Sequence, residues 1–135
     1  MRGYLVPKSF LFLLSILLLS LTLGYGSAYC AEDVQSALLQ VIQKSAIAGD
    51  ANAQARLGAL YYEGLGARQD YAKAREWFEK ASNHGHAYAQ WQLGKMYAAG
   101  ESVEQDYSKA KEWFEKSCTN GYAAGCDEYE KLRLE

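Results

Sequence analysis

Proline occurs once in the 135 residues, at Pro7, and histidine twice, at His84 and His86. Beyond position 7 no proline interrupts a helix, and a composition rich in alanine, glutamate, lysine and tyrosine favours one. The two histidines fall in a single turn, so the base of a nucleophilic triad has no well-placed candidate. Excess charge of one sign is also missing, since 14 lysines and arginines against 16 aspartates and glutamates leave a net charge of −2. That balance excludes a basic nucleic-acid binder, and 50% hydrophobic residues exclude a disordered acidic tail. The apolar stretch Phe10 to Leu23 carries no charge, but its fourteen residues fall short of the roughly twenty that a helix needs to cross a bilayer.

This stretch is preceded by Arg2 and Lys8 and followed by small residues. Basic start, short apolar stretch and small-residue exit describe a signal peptide, with cleavage expected after Ala28 in Gly26-Ser27-Ala28, or after Cys30 in Ala28-Tyr29-Cys30. The bulky Tyr29 ahead of Cys30 argues against a lipoprotein. Removing residues 1–28 takes two of the 14 basic residues, leaving 12 against 16 acidic and a mildly acidic mature chain. Export to the periplasm or medium is expected, with no membrane insertion afterwards and little attraction to anionic lipid.

What remains repeats itself. Ala51–His86 laid over Ala87–Tyr122 without a gap gives 18 identities in 36 positions, including Leu57-Gly58 with Leu93-Gly94, Asp70-Tyr71 with Asp106-Tyr107, and Glu76–Lys80 with Glu112–Lys116. Half-units flank the two full ones, giving a signal peptide at 1–28, a capping helix at 29–50, repeats at 51–86 and 87–122, and a C-terminal half-repeat at 123–135. In each unit the apolar positions form two stripes of helical spacing, such as Ala53, Leu57, Leu60 and Tyr61, then Tyr71, Ala74, Trp77, Phe78 and Ala81. The class is therefore all-α, built of helix pairs. Asp70 and Asp106 stand where an N-cap opens the second helix, and Gly85 and Gly121 where it stops. Gly58 and Gly94 sit mid-helix, where glycine costs about 1 kcal/mol, which predicts close approach of a neighbouring helix. In the capping helix Val34, Leu38, Val41 and Ile42 are expected to face inwards. Asp127, Glu128, Glu130, Lys131, Arg133 and Glu135 are expected to give the C-terminal cap a polar outer face.

These residues resemble the Sel-1-like repeats, relatives of the tetratricopeptide repeat, over about Lys44 to Tyr129. The pattern is met by Ala53, Leu57-Gly58, Tyr61, Gly64-Leu65-Gly66, Asp70-Tyr71, Lys73-Ala74, Trp77-Phe78 and Lys80-Ala81. The second unit departs where Ser102 replaces Gly66 and where Ser117 and Cys118 replace Ala81 and Ser82. The resemblance implies a right-handed superhelical α/α solenoid of antiparallel 36-residue helix pairs. Cys118 and Cys126 bracket the turn at Gly121, close enough for a disulfide in an oxidising compartment. Buried free thiols are the alternative, while zinc favours closer cysteines with two more ligands. The resemblance to the cysteine-rich branch of the family implies the bridged form.

No catalytic constellation stands out. Gly64-Leu65-Gly66 lacks the strand, and the later glycine or lysine, of a phosphate loop. Glu76 and Glu79 neighbour Lys73, Arg75 and Lys80 and read as a solvated salt-bridged face. Some cysteine-rich members of the family are described as weak β-lactamases or penicillin-binding proteins, and that is the alternative function. The serine-x-x-lysine nucleophile is expected to lack a credible match, with none taken at Ser36, Ser82 or Ser108. The preferred expectation is a monomeric, cofactor-free and metal-free module that holds a protein or peptide on a concave face, with peptidoglycan as a further partner class and no nucleic acid. Its candidate contacts are Gln54, Arg56 and Tyr62 in the first unit and Tyr88, Trp91, Gln92 and Lys95 in the second. Trp91 also has a competing role as a packing residue between helices.

Overall fold

The computed structural model describes residues 34–134. The chain divides into a unit up to Ala37 and a body from Leu38 onwards. The signal-peptide assignment, both cleavage sites and Cys30 lie outside the described residues. Helix α1 runs over 34–47, followed by α2 (Ala51–Glu63), α3 (Tyr71–Asn83), α4 (Ala87–Ala99), α5 (Tyr107–Thr119) and α6 (Ala123–Leu134). Among the described residues there is no strand. Within this set no helix is long and apolar enough to cross a membrane.

Local chemistry sets the helix ends. Asp70 and Asp106 accept the backbone N–H groups of Lys73 and Lys109, each at 3.0 Å, as side-chain caps of α3 and α5. The bond from the Lys73 N–H is the main reason the Asp70 carboxyl is held below its usual range. Gly64 and Gly100 close α2 and α4 in the left-handed region, their N–H groups returning to Leu60 and Met96.

The loops after these glycines share one design in spite of their sequences. Gln69 donates to the Tyr62 carbonyl and the Tyr71 hydroxyl, and Gln105 repeats this with Ala98 and Tyr107. Ser102 takes over the left-handed backbone of Gly66, with φ of 63° against 71°. A β-carbon is strained there, and the 3.4 Å approach of Arg75 Nε to its hydroxyl is too long to offset the strain. Ser102→Gly is expected to raise stability by about 0.5–1 kcal/mol in thermal unfolding.

The core is assembled from the conserved spacing of the two stripes. Leu57, Ala74, Phe78, Ala81, Ala89, Leu93 and Met96 are fully enclosed. The glycine expectation holds, because a β-carbon on Gly58 would lie 2.7 Å from the Phe78 ring and one on Gly94 2.5 Å from the Phe114 ring. Each second helix thus lays a phenyl ring on the bare backbone of its own first helix.

The inward face expected of α1 is corrected. Val34, Leu38 and Val41 are exposed, at 68%, 56% and 66%. The packing face is turned by about a quarter of the helix circumference, with Leu39, Ile42 and Ala46 against Ala53, Leu57, Tyr61 and Trp77. In the repeat register Ala46 corresponds to Ser82, the second-helix residue buried toward the next first helix.

Candidate functional site

The first helices of successive pairs lie side by side, α2 against α4 and α4 against α6, whereas α3 and α5 do not meet. Side chains on the shared row that the core does not need are therefore gathered on one surface. The units differ there in side-chain size: Asn52, Ala55 and Ala59 of α2 correspond to Tyr88, Trp91 and Lys95 of α4.

On α4 the large residues form an aromatic group. The Tyr88 ring lies 5.9 Å from Trp91 and 5.9 Å from Tyr122, and Trp91 lies 5.6 Å from Tyr122. Lys95 places its ammonium 4.5 Å from the Trp91 ring and 5.8 Å from that of Tyr62. Tyr62 in turn meets Tyr71 edge-on at 5.2 Å. Burial, helped by a hydrogen bond to Glu101, pushes the Tyr62 hydroxyl up to about 12. Burial likewise raises Tyr88, against the pull of its bond with Gln92. Both hydroxyls act as hydrogen-bond groups at neutral pH and not as bases.

Two recesses border this band. A cleft of about 600 Å³ between α2 and α4 is lined by Asn52, Ala55, Arg56, Ala59, His86 and Tyr88. Another of about 540 Å³ is lined by Trp91 and Lys95 of α4, Tyr107 and Phe114 of α5, and Lys131 and Leu132 of α6, among others. The Trp91 ring is half-buried, yet its Nε1 is enclosed and has no hydrogen-bond partner among the described residues. Trp91 is thus both a packing residue and a wall of the recess.

The structure brings together Tyr62, Tyr88, Trp91 and Lys95 and places Arg56 on the adjoining cleft. It removes Gln54 and Gln92 from the contact surface, since both are buried, at 5% and 4% exposure. Gln54 reaches back to the Ala46 carbonyl at 3.1 Å, tying α2 to α1. Gln92 supports Tyr88 by donating to its hydroxyl at 2.7 Å. The recurrence of Gln54 as Gln90, which donates to the Ser82 carbonyl and accepts from Asn120, is the signal that this position is structural.

Two residues outside the expected contact set, Tyr122 and His86, border the same surface. Tyr122 stacks on Trp91, and His86 caps α4 through Nδ1 while facing Asn52 across the cleft. A serine-x-x-lysine string does occur, at Ser108-Lys109-Ala110-Lys111, against the expectation of no match. Ser108 is exposed in the first turn of α5, and Lys111 directs its ammonium to the Tyr129 ring, 5.7 Å from the centroid. That geometry provides neither a general base on the serine nor a pocket around it.

Cys118 and Cys126 are joined in a disulfide between α5 and α6. The crossing there is unusually close, because a β-carbon on Gly125 would lie 2.5 Å from Ser117 Oγ. Ser117 and Gly125 stand where the preceding unit has Ala81 and Ala89, so the gained hydroxyl is matched by a lost methyl. The hydroxyl is used, donating to the Ala87 carbonyl at 2.7 Å. Past the bridge, Glu130 occupies the register of Gly58 and Gly94 and pairs with Arg133, so α6 offers an ion pair where the earlier first helices accept a phenyl ring.

The comparisons agree with this architecture. The family model of the Sel1 repeat matches residues 51–86 and 87–122, together 72 of the 135 residues. No functionally curated protein matches the chain. Among solved structures, a Sel1 repeat protein from Oxalobacter formigenes is 27% identical with a TM-score of 0.68, over 70% of this chain and 39% of its own. A protective antigen of uropathogenic Escherichia coli with an SLR fold is 33% identical with a TM-score of 0.65, over 67% of this chain and 20% of its own. Cysteine-rich protein B of Helicobacter pylori is 28% identical with a TM-score of 0.63, over 67% of this chain and 68% of its own. The chain thus spans well under half the length of the first two. Paired helices with a ring-on-glycine contact in each unit, repeated in the family's register, make this chain a member of the Sel1 repeat family, an α-solenoid whose repeats are protein-interaction modules.

Proposed function

We propose that the protein is an exported, non-catalytic adaptor of the bacterial envelope that holds a protein or peptide partner on the concave row formed by α2, α4 and α6. The observation that carries this reading is the aromatic and cationic band of Tyr62, Tyr88, Trp91, Lys95 and Tyr122. It stands beside two recesses, on a surface where the second unit departs from the first in size and chemistry. Tryptophan and tyrosine flanked by a cation are the residue types that most often anchor an interface. A half-buried ring with an enclosed N–H is already held in place, which lowers the ordering cost of binding.

Export is supported by the Arg2 to Ala28 leader pattern, by a disulfide of the kind that persists in oxidising compartments, and by the resemblance to a cysteine-rich relative. The mechanism is shape and pocket complementarity by a monomer without a cofactor.

Trp91→Ala is expected to weaken partner affinity tenfold or more while far-UV ellipticity stays within a few per cent of the parent. The measurement is titration of the purified partner, obtained by cross-linking from envelope extract, into parent and variant. Nitrocefin hydrolysis by the parent, lost in a Ser108→Ala variant, would support the β-lactamase reading instead. Retention on peptidoglycan sacculi without protein partners would assign the surface to glycan.

A further inference from the structure

We propose that His86 is a proton-sensitive latch between the two repeats, closed while its imidazole is neutral and opened by mild acid. Asp50, Asp70 and Asp106 cap α2, α3 and α5 with carboxylates, but α4 is capped by a histidine. The Ala89 backbone N–H points at His86 Nδ1 from 3.3 Å, so Nδ1 must be the unprotonated acceptor. The proton then resides on Nε2, which donates to Asn52 Oδ1 of α2 at 3.2 Å. One neutral ring thereby opens a helix of the second unit and reaches across to the first helix of the preceding one.

Protonation turns Nδ1 into a donor aimed at another donor, at a helix N-terminus where positive charge is unfavourable. The ring must swing away, and the bond to Asn52 goes with it. Cap and bridge are lost together because both depend on the same ring plane.

The charged and titratable neighbours agree with the direction. Asp50 of α2 attracts the imidazolium, but its carboxylate is already engaged by the N–H groups of Asn52 and Ala53. Arg56 of α2 shares the cleft and opposes a second positive charge. Tyr88 of α4 presents a ring centroid 6.4 Å away, and its hydroxyl stays protonated. His84 of the intervening turn is exposed. Burial outweighs both the hydrogen bond of the ring to the His86 backbone and the pull of Asp50, and the His86 pKa falls below its ordinary 6.5. A base whose folded-state pKa is lowered contributes stability above the unfolded value, and that contribution is lost as pH falls below 6.5 toward the folded value.

The test is a pH titration of the mature protein by heteronuclear NMR, alongside melting curves of the parent and of His86→Asp. The latch predicts a His86 midpoint below 6.5 and an Ala89 amide that moves with that midpoint. It also predicts that the parent loses more melting temperature between pH 7 and pH 5 than His86→Asp, whose cap stays charged throughout. A His86 midpoint at or above 6.5, an Ala89 amide that ignores it, or equal pH dependence in the two proteins would overturn the proposal. None of these readouts involves the binding partner.

Discussion

Replacing Gly94 with alanine is expected to destabilise the protein by about 2 kcal/mol, although in an unobstructed helix the same change stabilises by about 1 kcal/mol. The sign is set by Phe114, whose ring occupies the space 2.5–3.0 Å from where the new carbon must go. Gly58 stands in the same relation to Phe78, so Gly58→Ala should behave alike and the double variant should lose about twice as much. Urea unfolding followed by circular dichroism measures both. Adding Phe114→Leu to Gly94→Ala should recover part of the loss, since a smaller side chain vacates the space. If Gly94→Ala raised the midpoint instead, the ring-on-backbone contact would not be the element that joins each helix pair.

The second large effect is expected at the covalent link. Exchanging Cys118 and Cys126 for alanine is predicted to lower stability by about 2.5 kcal/mol, the chain-entropy value for a loop of about nine residues. The two sulfurs pin α6, which supplies Lys131 and Leu132 to the recess beside Trp91. Losing the bridge should therefore fray the C-terminal helix before the rest, seen as faster amide exchange over 123–134 than over 87–99. Dithiothreitol should reproduce the loss in the parent and leave the double-alanine variant unchanged. Equal stability with and without reductant would show that the close packing of Ser117 on Gly125 holds α6 unaided.

The helix pairs, their caps and the role of Gly58 and Gly94 were legible because each feature occurs twice in one register. Duplication separates a structural requirement from a local accident, and the two copies share the same end signals in Asp70 and Asp106. The orientation of α1 was not legible in the same way. Apolar residues spread over nearly half its circumference, from Val34, Leu38 and Val41 round to Leu39, Ile42 and Ala46, so the hydrophobic stripe alone does not choose a packing side. Register against α3 does choose it, since position 46 aligns with buried Ser82.

The contact surface was read partly. Trp91 and Lys95 announced themselves by replacing Ala55 and Ala59, whereas Gln54 and Gln92 looked available only because polar residues on a first helix suggest solvent. Buried amides that bond to a carbonyl or a tyrosine hydroxyl leave no trace in a hydropathy pattern. His86 was hidden for a similar reason, because its role depends on Asn52, which stands 34 residues away in sequence.

Binding on the row of first helices is the central claim, and site-specific photo-crosslinking tests it most directly. A benzophenone side chain would be placed singly at Arg56 and Lys95 on first helices, and at Lys80 and Glu112 on second helices, each in the full chain expressed in the cell. The account predicts one discrete protein adduct shared by the Arg56 and Lys95 positions and absent from the other two. Adducts arising from Lys80 and Glu112 alone, or from none of the four, would contradict it.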